Sequence, residues 1–417
     1  MGERMGLDGS RFGEGRPRAD STAAVFVVPN VADRQQGPVA AWVSTAGWAD
    51  AARRVLGDAW IATSAGLIDP DEARRRASLP ALTTAPRSWR RRIPTELKTA
   101  VKDAREWRRA RRFRVDPRGP WSGRRLEFVW QRHELFHTAG LELARELAVP
   151  SVLFVPAMLV WQSKEWGVRR PGWSNRLERG EQRILRRADV VACGTEIVAD
   201  HARRLGVDDE KILITPTGVD LDRFSEPGDP ELARQRLGLE GRFVVGWVGS
   251  FRRFHALEQA VEAVSLVDDA TLLMVGDGPE RAQVESFARE RGVAAVFTGT
   301  VPHADLPELL AVMDVCLLVA PPDRAFHYSP LKLAEYLAAG RAVVAPNIAQ
   351  VAERLTDGVD ALLVPPGDVG ELAGAIGSLR RDPNRRRRLG TAARAAAEAR
   401  WSWEHDIRLV RDALHAV

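Results

Sequence analysis

From about residue 22 onward the chain switches repeatedly between short continuous apolar runs and longer stretches whose apolar residues return every three to four positions. A run such as AAVFVV (23–28), apolar at every position, predicts a strand covered on both faces, as in a parallel sheet. The 3.6-residue spacing between such runs predicts helices. WADAARRVLG (48–57) is helical in pattern and ends on glycine, and DAWIATS (58–64) reads as the next strand. There follow strand LEFVWQ (126–131), helix LELARELA (141–148), strand VPSVLFVPA (149–157), helix LERGEQRILRRA (177–188), and strands DVVACG (189–194) and KILITPTG (211–218).

SEPGDPELARQ (225–235) interrupts this series with proline, glycine and acid, the composition of a linker leading into a helix. A second alternation then begins. Strands are predicted at RFVVGWVGS (242–250), ATLLMVGDGP (270–279), AAVFTGTV (294–301), DVCLLVAP (314–321) and DALLVPPGD (360–368), with helical segments between them. Two successive strand–helix series predict an α/β protein of two Rossmann-like, doubly wound parallel-sheet domains with a cleft between them. The expected divisions are a tail at 1–20, a first domain at 21–226, a second at 227–400, and a C-terminal helix at 401–417 that packs back on the first.

The stretch HYSPLKLAEYLAAGRAVVAP (327–346) holds the most specific chemistry. Ser329 suits a helix N-cap, Pro330 the first helical position, and Gly340 the residue past the C-terminus. In an open parallel sheet, the amino end of a helix that follows a strand points into the ligand crevice. Its free N–H groups favour a phosphate, and Lys332 adds a full charge. Glu335 lies four residues after Leu331 and three after Lys332, so the three share a face. A carboxylate there can accept hydrogen bonds from a vicinal diol such as a ribose. It can equally be a surface partner of Lys332, and spacing alone does not choose.

SPLKLAEYLAAGRAVVAP resembles the signature of retaining glycosyltransferases of family four (glycosyl transferases group 1), which have the GT-B fold of two Rossmann-like domains. ADVVACGTEIVADHARRLGVDDEKILITPTGVDLDRF (188–224), FVVGWVGSFRRFHALEQAVEAV, LLMVGDGPER and VFTGTVPHADLPELLAVMDVCLLVAP follow in the family's order. Residues 188–417 match well in pattern and the first 187 only loosely. The resemblance implies that Glu335 binds the donor ribose and that the backbone of Ser329, Pro330 and Leu331, with Lys332, lies at the diphosphate. The family often has two glutamates separated by seven residues, and the first falls here on His327. Its usual Gly-Arg-Leu…Lys-Gly phosphate loop appears as Gly249-Ser250-Phe251…His255-Ala256, without either cation. Arg252, Arg253 and His255 then stand as the nearby sources of positive charge. GDGPE (276–280), with Asp277 and Gly278, resembles the loop that approaches the nucleotide base.

In the first half, His133 falls where the family often has a histidine facing the donor sugar, though it could instead be a helix-start histidine satisfied by backbone; His137, one turn on, is the weaker candidate. Gly37, after the first strand, is the candidate for close approach of a phosphate or acceptor. The implied reaction is transfer of a sugar from a nucleoside-diphosphate sugar to an acceptor hydroxyl with retention. Positioning and electrostatic stabilisation of the leaving diphosphate would carry catalysis, without a metal or other cofactor. No Asp-X-Asp motif stands where a metal–diphosphate site would need it, and no His/Cys group has zinc spacing. A sugar-nucleotide 2-epimerase and a non-catalytic nucleotide-sugar-binding partner of another transferase are the competing readings.

Composition adds three constraints. Two cysteines far apart, Cys193 and Cys316, suit neither a disulfide scaffold nor a metal cluster and fit a reducing, cytoplasmic location. No apolar run reaches the roughly 18 residues of a membrane span, and the polar N-terminus lacks the apolar core of a signal peptide. Net charge is only +5, yet 15 Lys and Arg against 4 Asp and Glu fall between Arg87 and Arg125. Within that segment, 93–113 is helix-compatible, with Leu97, Val101, Ala104 and Trp107 on one stripe among arginines. Two readings stand open: a basic amphipathic face at an anionic membrane, serving a lipid-linked acceptor, or a solvated helix whose stripe packs on the first domain. Nucleic acid is not expected, since no known binding module accompanies the charge.

Overall fold

The computed structural model describes residues 21–29, 39–77, 95–165, 167–322 and 331–416. The chain divides into two compact units, one built from the residues up to Thr215 together with those from Ile407 onward, the other from Pro216–Asp406. Each holds one sheet.

The first unit's strands are β1 (Thr22–Val28), β2 (Gly57–Thr63), β3 (Gly66–Ile68), β4 (Leu126–Arg132), β5 (Ser151–Val155), β6 (Val190–Cys193) and β7 (Ile212–Ile214). Their order across the sheet is β3-β2-β1-β4-β5-β6-β7. Val25 pairs with Trp60 on one side and Val129 on the other, both in parallel register. β1 is fully covered, as its unbroken apolar run requires. One departure from an all-parallel sheet stands at the edge, where β3 runs antiparallel to β2. A tight turn makes this hairpin: Thr63 Oγ1 donates to the Gly66 carbonyl at 2.9 Å and accepts from Ala65 N at 3.2 Å. Three residues are too short for periodicity to register.

The second unit holds β8 (Phe243–Val248), β9 (Ala270–Val275), β10 (Ala295–Gly299), β11 (Val315–Leu317), β12 (Ala342–Pro346) and β13 (Leu362–Val364), in the order β10-β9-β8-β11-β12-β13. All neighbours are parallel. The order reverses between β8 and β11, so the chain leaves the two strands in opposite directions and opens a crevice at their carboxyl ends. Apolar side chains cover both faces of this sheet, with Leu273, Cys316 and Val343 in one cluster and Leu272, Met274 and Val344 in the other.

Helix Thr95–Arg112 corrects the reading in which its apolar stripe packs on the first domain. Leu97, Val101 and Trp107 are exposed, while Thr99, Asp103 and Ala110 are buried.

Candidate active site

Three loops follow the carboxyl ends of β8, β9 and β11 at the reversal point of the second sheet. Helix Leu331–Ala338 follows β11, and Tyr336 locks it in place. The Tyr336 hydroxyl is fully buried and accepts a hydrogen bond from Val248 N at 2.8 Å, at the last residue of β8.

The loops after β8 and β9 are laced together through backbone. Gly249 N donates to the Val275 carbonyl at 2.9 Å, Phe251 N to that of Asp277 at 3.1 Å, and Glu280 N to that of Phe251 at 3.0 Å. This closeness demands glycine: at Gly276 (φ +125°), a Cβ would come within 1.9 Å of the Gly249 carbonyl oxygen. Asp277 is exposed, accepts from Gly278 N at 2.7 Å and pairs with Arg281 at 3.5 Å.

Lys332 projects its ammonium into this crevice. The nitrogen is buried, has no hydrogen-bond acceptor among the described residues, and lies 4.0 Å from the centre of the Trp247 ring. The residue as a whole is only half-buried; its charged end is the covered part. Burial pushes the Lys332 pKa down to about 7, opposed by nearby Glu335. His255, in the turn after β8, is buried against Trp247 with ring centroids 5.3 Å apart. Its pKa falls to about 2, first through burial and then through the charges of Lys332 and Arg252, so the ring is neutral. Ser250, Arg252 and Arg253 are exposed along the same loop. An ammonium without an acceptor among the described residues, an indole face and exposed arginines around a neutral imidazole make surroundings that favour negative charge.

Glu335, on the same helix, is 4% exposed. Its Oε1 accepts from His303 Nε2 at 2.6 Å, and His303 Nδ1 in turn accepts from the Arg223 guanidinium. Because Arg223 is only a donor, Nδ1 is the acceptor and the ring hydrogen sits on Nε2, aimed at Glu335. The carboxylate is thereby held in one orientation with accepting capacity to spare.

In the first unit, His133 is 1% exposed, and its Nε2 lies 2.9 Å from Glu181 Oε1. Glu181 also accepts from Leu159 N at 2.7 Å and Val160 N at 3.3 Å, at the start of helix Leu159–Glu165. His133 Nδ1 is buried without a partner among the described residues. His137 bonds to Glu106 Oε1 at 2.8 Å. Gly37, His327, Ser329 and Pro330 lie outside the described residues.

Comparison with known proteins bears on the family and the fold. Residues 242–382 match the family described as "Glycosyl transferases group 1", and residues 68–223 match "Glycosyltransferase Family 4". Together the two matches span more than half of the chain. The chain belongs to the family-four glycosyltransferases. The 2-deoxystreptamine glucosyltransferase of Streptomyces kanamyceticus is 33% identical over 213 residues, 49% of this chain and 54% of that protein. The D-inositol 3-phosphate glycosyltransferase of Nocardia farcinica is 31% identical over 245 residues, 55% of this chain and 52% of that one. The chain thus spans about half the length of the curated relatives it matches. Among solved structures, Anabaena HepE in complex with UDP and glucose has a TM-score of 0.66 at 17% identity, covering 94% of this chain and 100% of that one. Sucrose-phosphate synthase from Thermosynechococcus elongatus gives 0.65 at 19%, covering 95% and 100%. The fold they share is GT-B.

Within this glycosyltransferase, sequence reasoning brought Lys332, Glu335, Gly249, His255 and Gly278 to one place, and the structure groups them at the crevice of the second sheet. It missed Trp247, Tyr336, Arg223 and His303. Of these only His303 carried a signal, a histidine between Pro302 and Ala304 just past the end of a predicted strand. Among the described residues, no group of three or more His, Cys, Asp or Glu is placed to hold a metal ion.

Proposed function

We propose that the chain transfers a sugar from a nucleoside-diphosphate sugar to an acceptor hydroxyl with retention at the anomeric carbon, without a metal. One observation carries this reading. Lys332 offers a buried ammonium with no acceptor among the described residues, and Glu335, three residues along the same helix, offers a carboxylate fixed by His303. The pair matches the two ends of a nucleoside diphosphate: pyrophosphate at Lys332 and the helix start, ribose hydroxyls at Glu335. Relatives named as glucosyl-, N-acetylglucosaminyl- and glycosyltransferases support transfer of a hexosyl group.

In this reading the acceptor oxygen attacks the anomeric carbon from the side of the leaving group. The bond from that carbon to the diphosphate breaks, and the acceptor proton passes to the departing phosphate oxygen. Lys332 and the exposed Arg252 and Arg253 stabilise the charge that grows there. Gly249, Ser250, Asp277 and Gly278 shape the base and phosphate loops. Leu331 starts the helix at the diphosphate end; the family resemblance alone assigns Ser329 and Pro330 to the diphosphate, His327 to the sugar end, and Gly37 to a phosphate or the acceptor. The role of His133 at the donor sugar rests on the family resemblance alone; its ring is held by Glu181.

A thermal-shift screen of nucleoside diphosphates and their sugars, with UDP-glucose as first probe, tests donor binding. Acceptor-dependent nucleotide release then tests transfer. Conversion of a sugar nucleotide without acceptor would identify an epimerase instead. Donor binding without nucleotide release in any acceptor mixture would identify a non-catalytic partner.

A further inference from the structure

Helix Thr95–Arg112 is amphipathic in the inverse sense for a helix that packs by its apolar stripe. Leu97, Val101 and Trp107 stand 55%, 43% and 45% exposed. They are three of the six large hydrophobic residues left exposed among the described residues. The polar side faces inward. Asp103 accepts from Arg170 Nε at 2.8 Å and from Trp173 Nε1 at 3.0 Å, and Glu106 bonds to His137 Nε2 at 2.8 Å. The two acids in mid-helix are therefore engaged within the unit, while Lys98, Lys102, Arg105, Arg108, Arg111 and Arg112 are all exposed. Glu96, the remaining acid, is half-buried in the first turn. The outward side combines apolar groups with positive charge and carries no exposed acid.

The geometry points to this face as the seat of the protein on an anionic membrane surface, with Leu97, Val101 and Trp107 entering the headgroup boundary and the surrounding cations meeting lipid phosphates. Arg111 already lies over the Trp107 ring at 4.7 Å, so the indole carries a cation to the level at which tryptophan settles in a bilayer. A second copy of the chain is a poor occupant, because two such faces would bring like charges together. Nucleic acid would leave the aliphatic Leu97 and Val101 without partners. The contact is peripheral in kind, since no described helix is long and apolar enough to cross a membrane. The inference stands apart from sugar transfer and does not depend on it.

The test is co-sedimentation of the full chain with vesicles of phosphatidylcholine alone and of phosphatidylcholine with phosphatidylglycerol in equal parts. The anionic vesicles should bind at least tenfold tighter, with the difference shrinking as salt is raised. Replacing Leu97, Val101 and Trp107 together by serine should cost at least tenfold in vesicle affinity. So should replacing Arg105 and Arg108 by glutamine, at about fivefold per cation. All five side chains are exposed, so the thermal midpoint should hold for both variants; if the serine variant does not fold, the glutamine variant with the salt series carries the test. Equal binding to neutral vesicles overturns the proposal. So does full retention of binding by the serine variant, which would leave only unspecific charge attraction, and so does self-association abolished by that variant. Nucleotide binding measured on the same samples keeps failure here distinct from failure of the transferase reading.

Discussion

Replacing Lys332 by methionine separates what this residue does for binding from what it costs the fold. Its pKa is about 7 in the folded chain, against about 10.4 for an unhindered lysine. Between those values the unfolded chain binds more protons, so stability rises with pH across that window. Below pH 7 the buried charge costs on the order of 5 kcal/mol at about 1.36 kcal/mol per tenfold change in protonation constant. Methionine fills similar volume without charge, so Lys332→Met should raise the urea midpoint at pH 7 and flatten its rise toward pH 10. The function runs the other way. Only the ammonium form serves a diphosphate, and a charge-assisted hydrogen bond is worth about 1.5–3 kcal/mol, so the variant should bind UDP-glucose roughly 10- to 150-fold more weakly. In the wild type the free site is about half protonated at pH 7 and about one-tenth at pH 8, so affinity should fall roughly fivefold over that step. Calorimetry in two buffers of different ionisation enthalpy should show proton uptake approaching one per ligand at pH 8. The reasoning is refuted by affinity that is flat from pH 6 to 9, or by a methionine variant that binds as well as the wild type.

Glu335→Ala should abolish measurable donor binding by calorimetry while the circular dichroism spectrum stays native; unchanged affinity would remove the ribose assignment. His303→Ala, which frees Glu335 from its fixed orientation, should raise the donor KM about tenfold, roughly 1.4 kcal/mol, with kcat within about twofold. A fall in kcat alone would contradict a positioning role. Gly276→Ala places a Cβ 1.9 Å from the Gly249 carbonyl oxygen at φ +125°, and should cost more than about 2 kcal/mol in urea unfolding. Burial holds the Asp406 carboxyl protonated well above the usual range, with Arg354 opposing, so its contribution is lost as pH rises through that raised value. Asp406→Asn should therefore flatten the fall in stability between about pH 4 and that raised value in a denaturant series.

The second sheet was readable because each of its elements announces itself locally. β8, β9 and β11 are unbroken apolar runs, and Gly249, Gly276 and Gly278 mark the loops that leave β8 and β9. Lys332 and Glu335 were readable for the same reason, since helix spacing alone puts them on one face. What surrounds them was not. His303 reaches Glu335 from another element, and Arg223 reaches His303 from 80 residues away, with no shared period. Trp247 looks in the sequence like any apolar strand residue, and its pairing with Lys332 exists only after β8 and the helix after β11 are side by side.

Helix Thr95–Arg112 shows a different limit. Its apolar stripe was found correctly, but Thr99, Asp103, Glu106 and Ala110 form a second stripe at the same helical spacing, four and three residues apart in turn. Two opposite faces with equal periodicity give no basis for choosing which one turns inward. The choice is made by partners distant in sequence: Arg170 and Trp173 offer donors to Asp103, and His137 to Glu106. Burying those acids unpaired would cost several kcal/mol each, whereas leaving Leu97, Val101 and Trp107 in water costs about 1.5–3 kcal/mol apiece. The inversion is favourable only because the inner donors are present, and it follows that Arg170→Ala should loosen this helix and with it the face that meets the membrane. Loss of vesicle binding by that variant at intact global stability, with faster hydrogen exchange confined to residues 95–112, is the expected result; an unchanged exchange pattern would show that the ion pair does not hold the helix in its inverted setting.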